Sequence, residues 1–275
     1  MHWLERTPLW VVGLTVLVAL IAAEQFGFAM RRIALRTRHP ESSDDSLGHL
    51  LSASLALLGL LIAFTFGSAS ERYDVRRHLV VEEANAIGTT YLRIQILDDG
   101  PKAALSALMT QYARARQDFF LAGEDAARLE QSEARTAALQ DRIWAGTTEA
   151  VRANPAATIN PSLLQTTNDM FDLAASRRAA MDARLPIAVL RTLMIYALIS
   201  AALIGYSLGH GTRHVVITAA VFLALSLAIC LILDLDRPRS GTVTVSQAPM
   251  ARELASIAEA EAAKSPVTMP RAAVP

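Results

Sequence analysis

The residue types best able to do chemistry lie in one short run, 71-ERYDVRRHLVVEE-83. Asp74, His78 and Glu82 recur at every fourth position, so a helix would stack them on one face and offer two carboxylates and an imidazole to a cation. The competing reading is a solvated face on which both acids pair with His78. It is favoured because metal sites draw ligands from more than one segment, and no second segment with matching ligands is visible. In a symmetric oligomer the same face would become a ring of mixed charge, an arrangement suited to contact with small inorganic ions. His210 and His214, in 209-GHGTRH-214, occupy a link too short for a stable helix, so a hairpin turn is expected there rather than a ligand pair. No G-x-S-x-G, H-E-x-x-H, P-loop or dinucleotide fingerprint occurs. Cys230 is the single cysteine, which leaves no internal disulfide and no thiolate zinc site. Neither an enzyme nor a bound metal or cofactor is expected.

The elements that must position these residues are set by solvent. Hydrophobic residues make up 52% of the 275-residue chain and charged residues 19%, and the mean hydropathy of +0.31 is high for a water-soluble domain. The 26 Lys and Arg balance 26 Asp and Glu, so no basic field argues for nucleic acid as a partner. Four stretches reach the length needed to cross a bilayer: Leu9 to Phe28, His49 to Ala69, Pro186 to Leu208 and Val215 to Leu233. Arg191, just inside one end, can snorkel; Glu24 is expected at interfacial depth, beside Gln25, Gly27 and Arg31, rather than as an acid on an ion path. The first stretch could end as a cleaved signal at 19-ALIAA-23, but the apolar run continues through Phe26 and Phe28 into a basic flank, which favours an uncleaved span.

An even number of spans puts both termini on one side. Nine arginines, among them Arg72, Arg76, Arg77 and Arg184, would flank a cytoplasmic face shared with the termini, against five, Arg31, Arg32, Arg36, Arg38 and Arg213, on the other face. The expected organisation is a transmembrane hairpin over 1–69, a helical soluble domain over 70–185, a second hairpin over 186–234 and a tail over 235–275. The fold class is therefore all-α, polytopic, with the soluble bundle between spans two and three.

Within the second span, Ser52, Ala56, Gly59, Ala63 and Gly67 are small residues at helix-face spacing. Such a stripe serves helix packing, or lines a pore; both require a neighbouring helix. Past the span, Tyr73, Arg77, Val80, Ala84, Ile87, Tyr91 and Ile94 alternate four- and three-residue steps, a seam that makes the helix a coupling rod from lipid into water. Further helices carry Leu105, Leu108, Met109, Tyr112 and Phe119; then Leu129, Leu139, Ile143 and Val151; then Leu164, Met170, Phe171 and Met181. The breakers between them are Asp98-Asp99-Gly100-Pro101, Gly123, and Asn154-Pro155 through Asn160-Pro161. In the tail, Asp236 is expected to pair with Arg237 or Arg239, and Pro238 stops the fourth span. Beyond it, 242-TVTVS-246 is expected to be extended, Met250 to Ala263 a short Ala- and Glu-rich helix, and the end from Ser265 disordered, a tail able to dock beneath the bundle.

The order of spans, the segment 71-ERYDVRRHLVVEEANAIGTTYLR-93 and the tail 234-DLDRPRSG-241 with its V-x-V-S-Q continuation resemble the bacterial bestrophin-like family of membrane proteins. A more distant similarity runs to bestrophins, pentameric anion channels whose second membrane helix continues into the cytosol through a Tyr-Asp-Arg-Trp-Trp-Glu-like motif. Tyr73 and Asp74 match its start; Val75, Arg76 and Arg77 depart from it. Aligned on that pair, Gly59, Ala63 and Gly67 stand where bestrophins carry a bulky apolar constriction. The resemblance implies a homo-oligomer in the bacterial inner membrane that passes ions, with anions the expected class. The alternative is a non-conducting scaffold or sensor.

Overall fold

A computed structural model describes residues 7–37, 44–208 and 215–264. The link 209-GHGTRH-214 and the end from Ser265 lie outside the described residues. Eight helices make up the described chain, which carries no β-strand: α1 Leu9–Thr37, α2 Asp44–Ile94, α3 Asp99–Leu121, α4 Ala126–Ala153, α5 Asn160–Asp182, α6 Ile187–Ser207, α7 Val215–Asp236 and α8 Ala248–Lys264. Four helical stretches are long and apolar enough to cross a membrane: Leu9–Ala34, Val216–Asp236, and apolar windows within Leu47–Ile94 and Asn160–Ser207. The chain divides into two compact units, one formed by 1–74 with 183–244, the other by 75–182 with 245–275.

In the first unit α1 runs past 19-ALIAA-23 to Thr37 and packs on α6 and α7. Val12, Val16 and Leu20 of α1 meet Leu193, Ala197 and Ala201 of α6 and Phe222, Ile229 and Ile232 of α7 in one apolar core. Lipid gives no hydrophobic drive between helices, so close approach and polar contacts carry the packing. Both occur. A Cβ placed on Gly27 would fall 1.9 Å from the Ala202 carbonyl oxygen, and one on Gly205 the same distance from the Glu24 carbonyl oxygen. The backbones of α1 and α6 therefore touch at two reciprocal glycines. Ser226 donates to the Gly13 carbonyl at 2.7 Å, and the Ser54 and Ser200 hydroxyls share a 3.0 Å hydrogen bond.

The turn after α7 is built on its acids. Asp234 accepts from the Thr242 amide at 2.7 Å and from the Thr242 hydroxyl, and Asp236 accepts from the Leu185 amide at 2.9 Å. Arg237 donates to the Thr7 carbonyl at 3.0 Å. Asp236 thus takes a backbone role, holding the amide just ahead of α6.

The second unit is a helical bundle whose core gathers Ala84, Ile87, Tyr91 and Ile94 of α2, Leu105, Met109 and Tyr112 of α3, Leu139 and Ile143 of α4, Leu163 and Met170 of α5, and Met250 and Ile257 of α8. Gly123, at φ +59°, turns the chain between α3 and α4 in the left-handed region that glycine enters without strain. Asp125 then caps α4 by accepting from the Ala127 and Arg128 amides at 3.1 and 3.2 Å.

The faces of α4 and α5 differ from the apolar stripes read from the sequence. Leu129, Val151 and Leu164 are only half-buried, whereas Ser132, Thr136, Thr147 and Ala150 of α4, and Leu163, Thr166, Thr167 and Arg177 of α5, are inside. Hydroxyls that bond back to the preceding turn can be buried at little cost. Thr136 donates to the Ser132 carbonyl and Thr167 to the Leu163 carbonyl, each at 2.8 Å.

Candidate functional site

The membrane part of α2 presents two contrasting sides. Leu58, Thr65 and Ala69 are buried, and Thr65 satisfies its hydroxyl on the Leu61 carbonyl at 2.7 Å. Ser52, Ala56, Gly59, Ala63 and Gly67 all lie exposed, and a Cβ added at Gly59 or Gly67 would meet nothing within 4 Å. The five small residues share one open helix face, flanked by exposed Leu60 and Phe64 on one side and Phe66 on the other. The tight small-residue packing within this chain is made instead by Gly27 and Gly205.

Further along α2, Val80, Ala84, Ile87, Tyr91 and Ile94 are buried, and Tyr73 is half-buried in the apolar unit. Arg77, which falls in the same spacing, is exposed. Asp74 is exposed as well, and His78 Nε2 lies 3.0 Å from Glu82 Oε1 with side chains 73% and 41% exposed. These three groups form a solvated face. Among the described residues no group of three or more His, Cys, Asp or Glu is placed to hold a metal ion.

What the sequence reading missed is a charge cluster inside the bundle. Glu83 is fully buried and shared by two buried guanidiniums, Arg116 through Nε and Arg177 through Nη1 at 2.5 Å. Arg177 also donates to Gln247 Oε1 at 2.5 Å, and Arg116 to the Ala174 carbonyl at 3.4 Å. Both guanidiniums lie near the Phe119 ring, 4.7 and 5.9 Å from its centroid. Burial outweighs the attraction of Glu83 and pulls the Arg177 pKa below its ordinary value. Burial likewise pushes the Tyr112 phenol up to about 12, and that hydroxyl accepts from Gln140 Nε2 at 3.3 Å. A signal for the cluster does exist. Arg76, Glu83 and Thr90 are seven residues apart, in step with Val80, Ile87 and Ile94, and all six are buried. On α3, Arg116 sits between Tyr112 and Phe119 at stripe spacing.

The tail helix α8 completes the bundle. Its Met250 and Ile257 are buried in the core, the Glu253 carboxylate lies over Gly88, and Tyr91 donates to Glu261 Oε1. Gly88 admits that carboxylate because a Cβ there would approach Glu253 Oε1 to 2.4 Å. Burial raises the Glu253 pKa.

This architecture has solved counterparts. Crystal structures of two single-substitution variants of a bacterial Bestrophin homolog from Klebsiella pneumoniae match with TM-scores of 0.62 and 0.63 at 14% identity, over 89% and 91% of this chain and 99% of theirs. The crystal structure of another membrane protein matches with a TM-score of 0.65 at 13% identity, over 92% of this chain and 99% of that one. At such identity the likeness shows a shared fold. No functionally curated protein matches the chain. The Bestrophin-like domain model matches residues 16–250, from the first apolar helix into α8. With that match over most of its length and four helices fit to cross a bilayer, the chain belongs to the Bestrophin-like domain family and is a multi-pass membrane protein.

Proposed function

We propose that copies of this chain assemble in the bacterial inner membrane, termini in the cytoplasm, around the small-residue face of α2 to form a pore for small anions. The observation that carries this reading is the exposure of Ser52, Ala56, Gly59, Ala63 and Gly67 on one face of a membrane helix whose opposite face is packed. Small side chains leave room for an ion beside an axis, and the flanking Leu60, Phe64 and Phe66 supply apolar surface for neighbouring copies. At 100° per residue the same face continues through Asp74 and Arg77, which in an oligomer would form a ring of mixed charge where the pore meets water. Membership of the Bestrophin-like domain family supports anions as the permeant class.

The test is conductance together with oligomeric mass. The purified protein in planar bilayers should carry chloride current, and Ala63→Phe should cut that current at least tenfold while the oligomer persists. A silent protein that stays monomeric in detergent refutes the pore.

A second reading, a scaffold or sensor that transmits a state along α2, is favoured by the lack of bulk at Gly59, Ala63 and Gly67, since a hydrophobic gate needs side chains large enough to exclude water. Under that reading Ala84→Trp in the buried seam abolishes partner binding, and no current is seen with any variant.

A further inference from the structure

The apolar unit carries an open groove of about 560 Å³ between α1 and α7. Trp10 and Leu14 of α1 make one wall, and Leu223, Leu227 and Leu231 of α7 the other, all of them exposed. The floor between them is low because its residues are small. A Cβ on Gly13 would fall 2.8 Å from Cys230 Sγ, and Ser226 is buried with its hydroxyl on the Gly13 carbonyl. Polarity is confined to one end, which Asp234 and Thr242 line. Among the described residues Asp234 is the single charged group in the lining; Arg237 follows it in the turn, reaches the Thr7 carbonyl and does not line the groove. Trp10 stands at the same end, since Cys230 Sγ lies 3.8 Å from the Leu9 carbonyl oxygen.

Both helices are long and apolar enough to cross the bilayer, so the groove opens onto acyl chains rather than water. Its chemistry runs in the order of a lipid. An indole and a carboxylate mark the membrane edge, where amphipathic aromatic rings belong, and apolar wall extends about 16 Å inward along α7 from Asp234 to Leu223. Over that length the section is about 35 Å², less than half of the roughly 80 Å² that a helix about 10 Å across requires. A single acyl chain therefore seats where a helix of a second copy does not. The one charge in the lining is negative, which favours a cationic head and disfavours a free fatty acid. We propose that the groove binds one acyl chain of a phospholipid with a primary-ammonium head, the ammonium at Asp234 and the glycerol esters beside the Trp10 indole N–H. This site does not depend on whether the α2 face conducts.

Cys230 is the only cysteine of the chain and lies in the groove floor, so its alkylation by N-ethylmaleimide, read from the mass of the intact protein, reports whether the groove is filled. The experiment adds phosphatidylethanolamine or phosphatidylglycerol to the delipidated full-length protein in detergent and follows that rate together with lipid adducts in native mass spectra. Phosphatidylethanolamine should slow alkylation saturably and leave one adduct per chain, at about a tenth of the concentration that phosphatidylglycerol needs, the ratio one charge-assisted hydrogen bond supplies. Leu227→Trp, which fills the groove from an exposed position, should remove the adduct. Asp234→Asn, which keeps an acceptor for Thr242, should remove the preference between heads. Equal binding of the two lipids, an adduct retained by Leu227→Trp, or no slowing of alkylation overturns the proposal. Alkylation already slow without lipid, and released as Leu227→Trp disperses an oligomer, would give the groove to a second copy and overturn it too. Because Leu227→Trp leaves the Asp234 turn intact, the test stands even if Asp234→Asn does not fold.

Discussion

Substitution of Gly205 by alanine tests the closest helix contact in the membrane unit. The new Cβ would sit 1.9 Å from the Glu24 carbonyl oxygen and 2.7 Å from its carbon, whereas carbon and oxygen rest at about 3.3–3.6 Å. The obstacle is backbone, which cannot swing aside, so α1 and α6 must part locally by roughly 1.5 Å. A gap of even 0.5–1 Å forfeits about a quarter to a half of each dispersion contact, and overpacking of this kind costs about 1–3 kcal/mol. The better helix propensity of alanine returns up to about 1 kcal/mol. A net loss of about 1 kcal/mol, or about 3 °C in midpoint, is expected. Gly27→Ala meets the reciprocal obstacle at the Ala202 carbonyl, also at 1.9 Å, and since both open one interface, the double variant should lose less than the sum. Gly59→Ala and Gly67→Ala, which meet nothing of their own chain within 4 Å, are the controls and should not lose stability. The assay is unfolding of the full-length protein in detergent, followed by circular dichroism. A Gly205→Ala protein as stable as the unaltered chain refutes the close approach of α1 and α6.

Two further outcomes follow from the bundle. Glu83→Gln strands Arg116 and Arg177 without their shared carboxylate and should cost about 3–5 kcal/mol, whereas replacing all three by methionine should recover most of the loss; equal instability of the two variants in denaturant unfolding would contradict the charge account. At Glu253 the pKa is raised from 4.5 by burial, so the folded state holds its proton more tightly than the unfolded one, and the resulting stability is present below about pH 4.5 and lost as pH rises through the folded value. Glu253→Gln should therefore unfold at a higher temperature than the unaltered chain at pH 8 and at the same temperature at pH 4; a pH-independent difference would refute this.

The spans were legible because a bilayer core tolerates only continuous apolar helix, a demand that no tertiary contact can disguise. The seam on α2 and the stripe on α3 were legible for a related reason: Val80, Ile87, Ile94, Leu105 and Met109 have no favourable place but the interior. The inner faces of α4 and α5 were not, because Thr136, Thr166 and Thr167 are polar in type yet satisfied within their own turns, and Ser132 donates across to the Ala115 carbonyl of α3. Arg116 and Arg177 look like surface residues until Glu83 is found between them. Small residues are ambiguous in another way. Gly27, Gly59, Gly67 and Gly205 are equivalent as letters, and only the neighbouring backbone separates the two that are contacts from the two that are open.

The Glu83 cluster has a consequence for the tail. A buried ion pair gains little net stability, because desolvation offsets attraction, but any arrangement that leaves one partner behind is strongly disfavoured. Glu83 comes from α2, Arg116 from α3, Arg177 from α5 and Gln247 from the segment that leads into α8, so these contacts tie the four segments into one mutual register. Gln247 also donates to the Val245 carbonyl at 3.0 Å, which orients its oxygen towards Arg177. Met250 and Ile257 then supply the apolar burial that the ionic cluster does not, and Glu253 at Gly88 and Glu261 at Tyr91 fix which face of α8 meets α2. Affinity of the tail for the bundle thus comes from its two core side chains, while its position comes from the charges. Removing Met250 should loosen α8 without moving it, and removing Gln247 should leave it bound but free to slip.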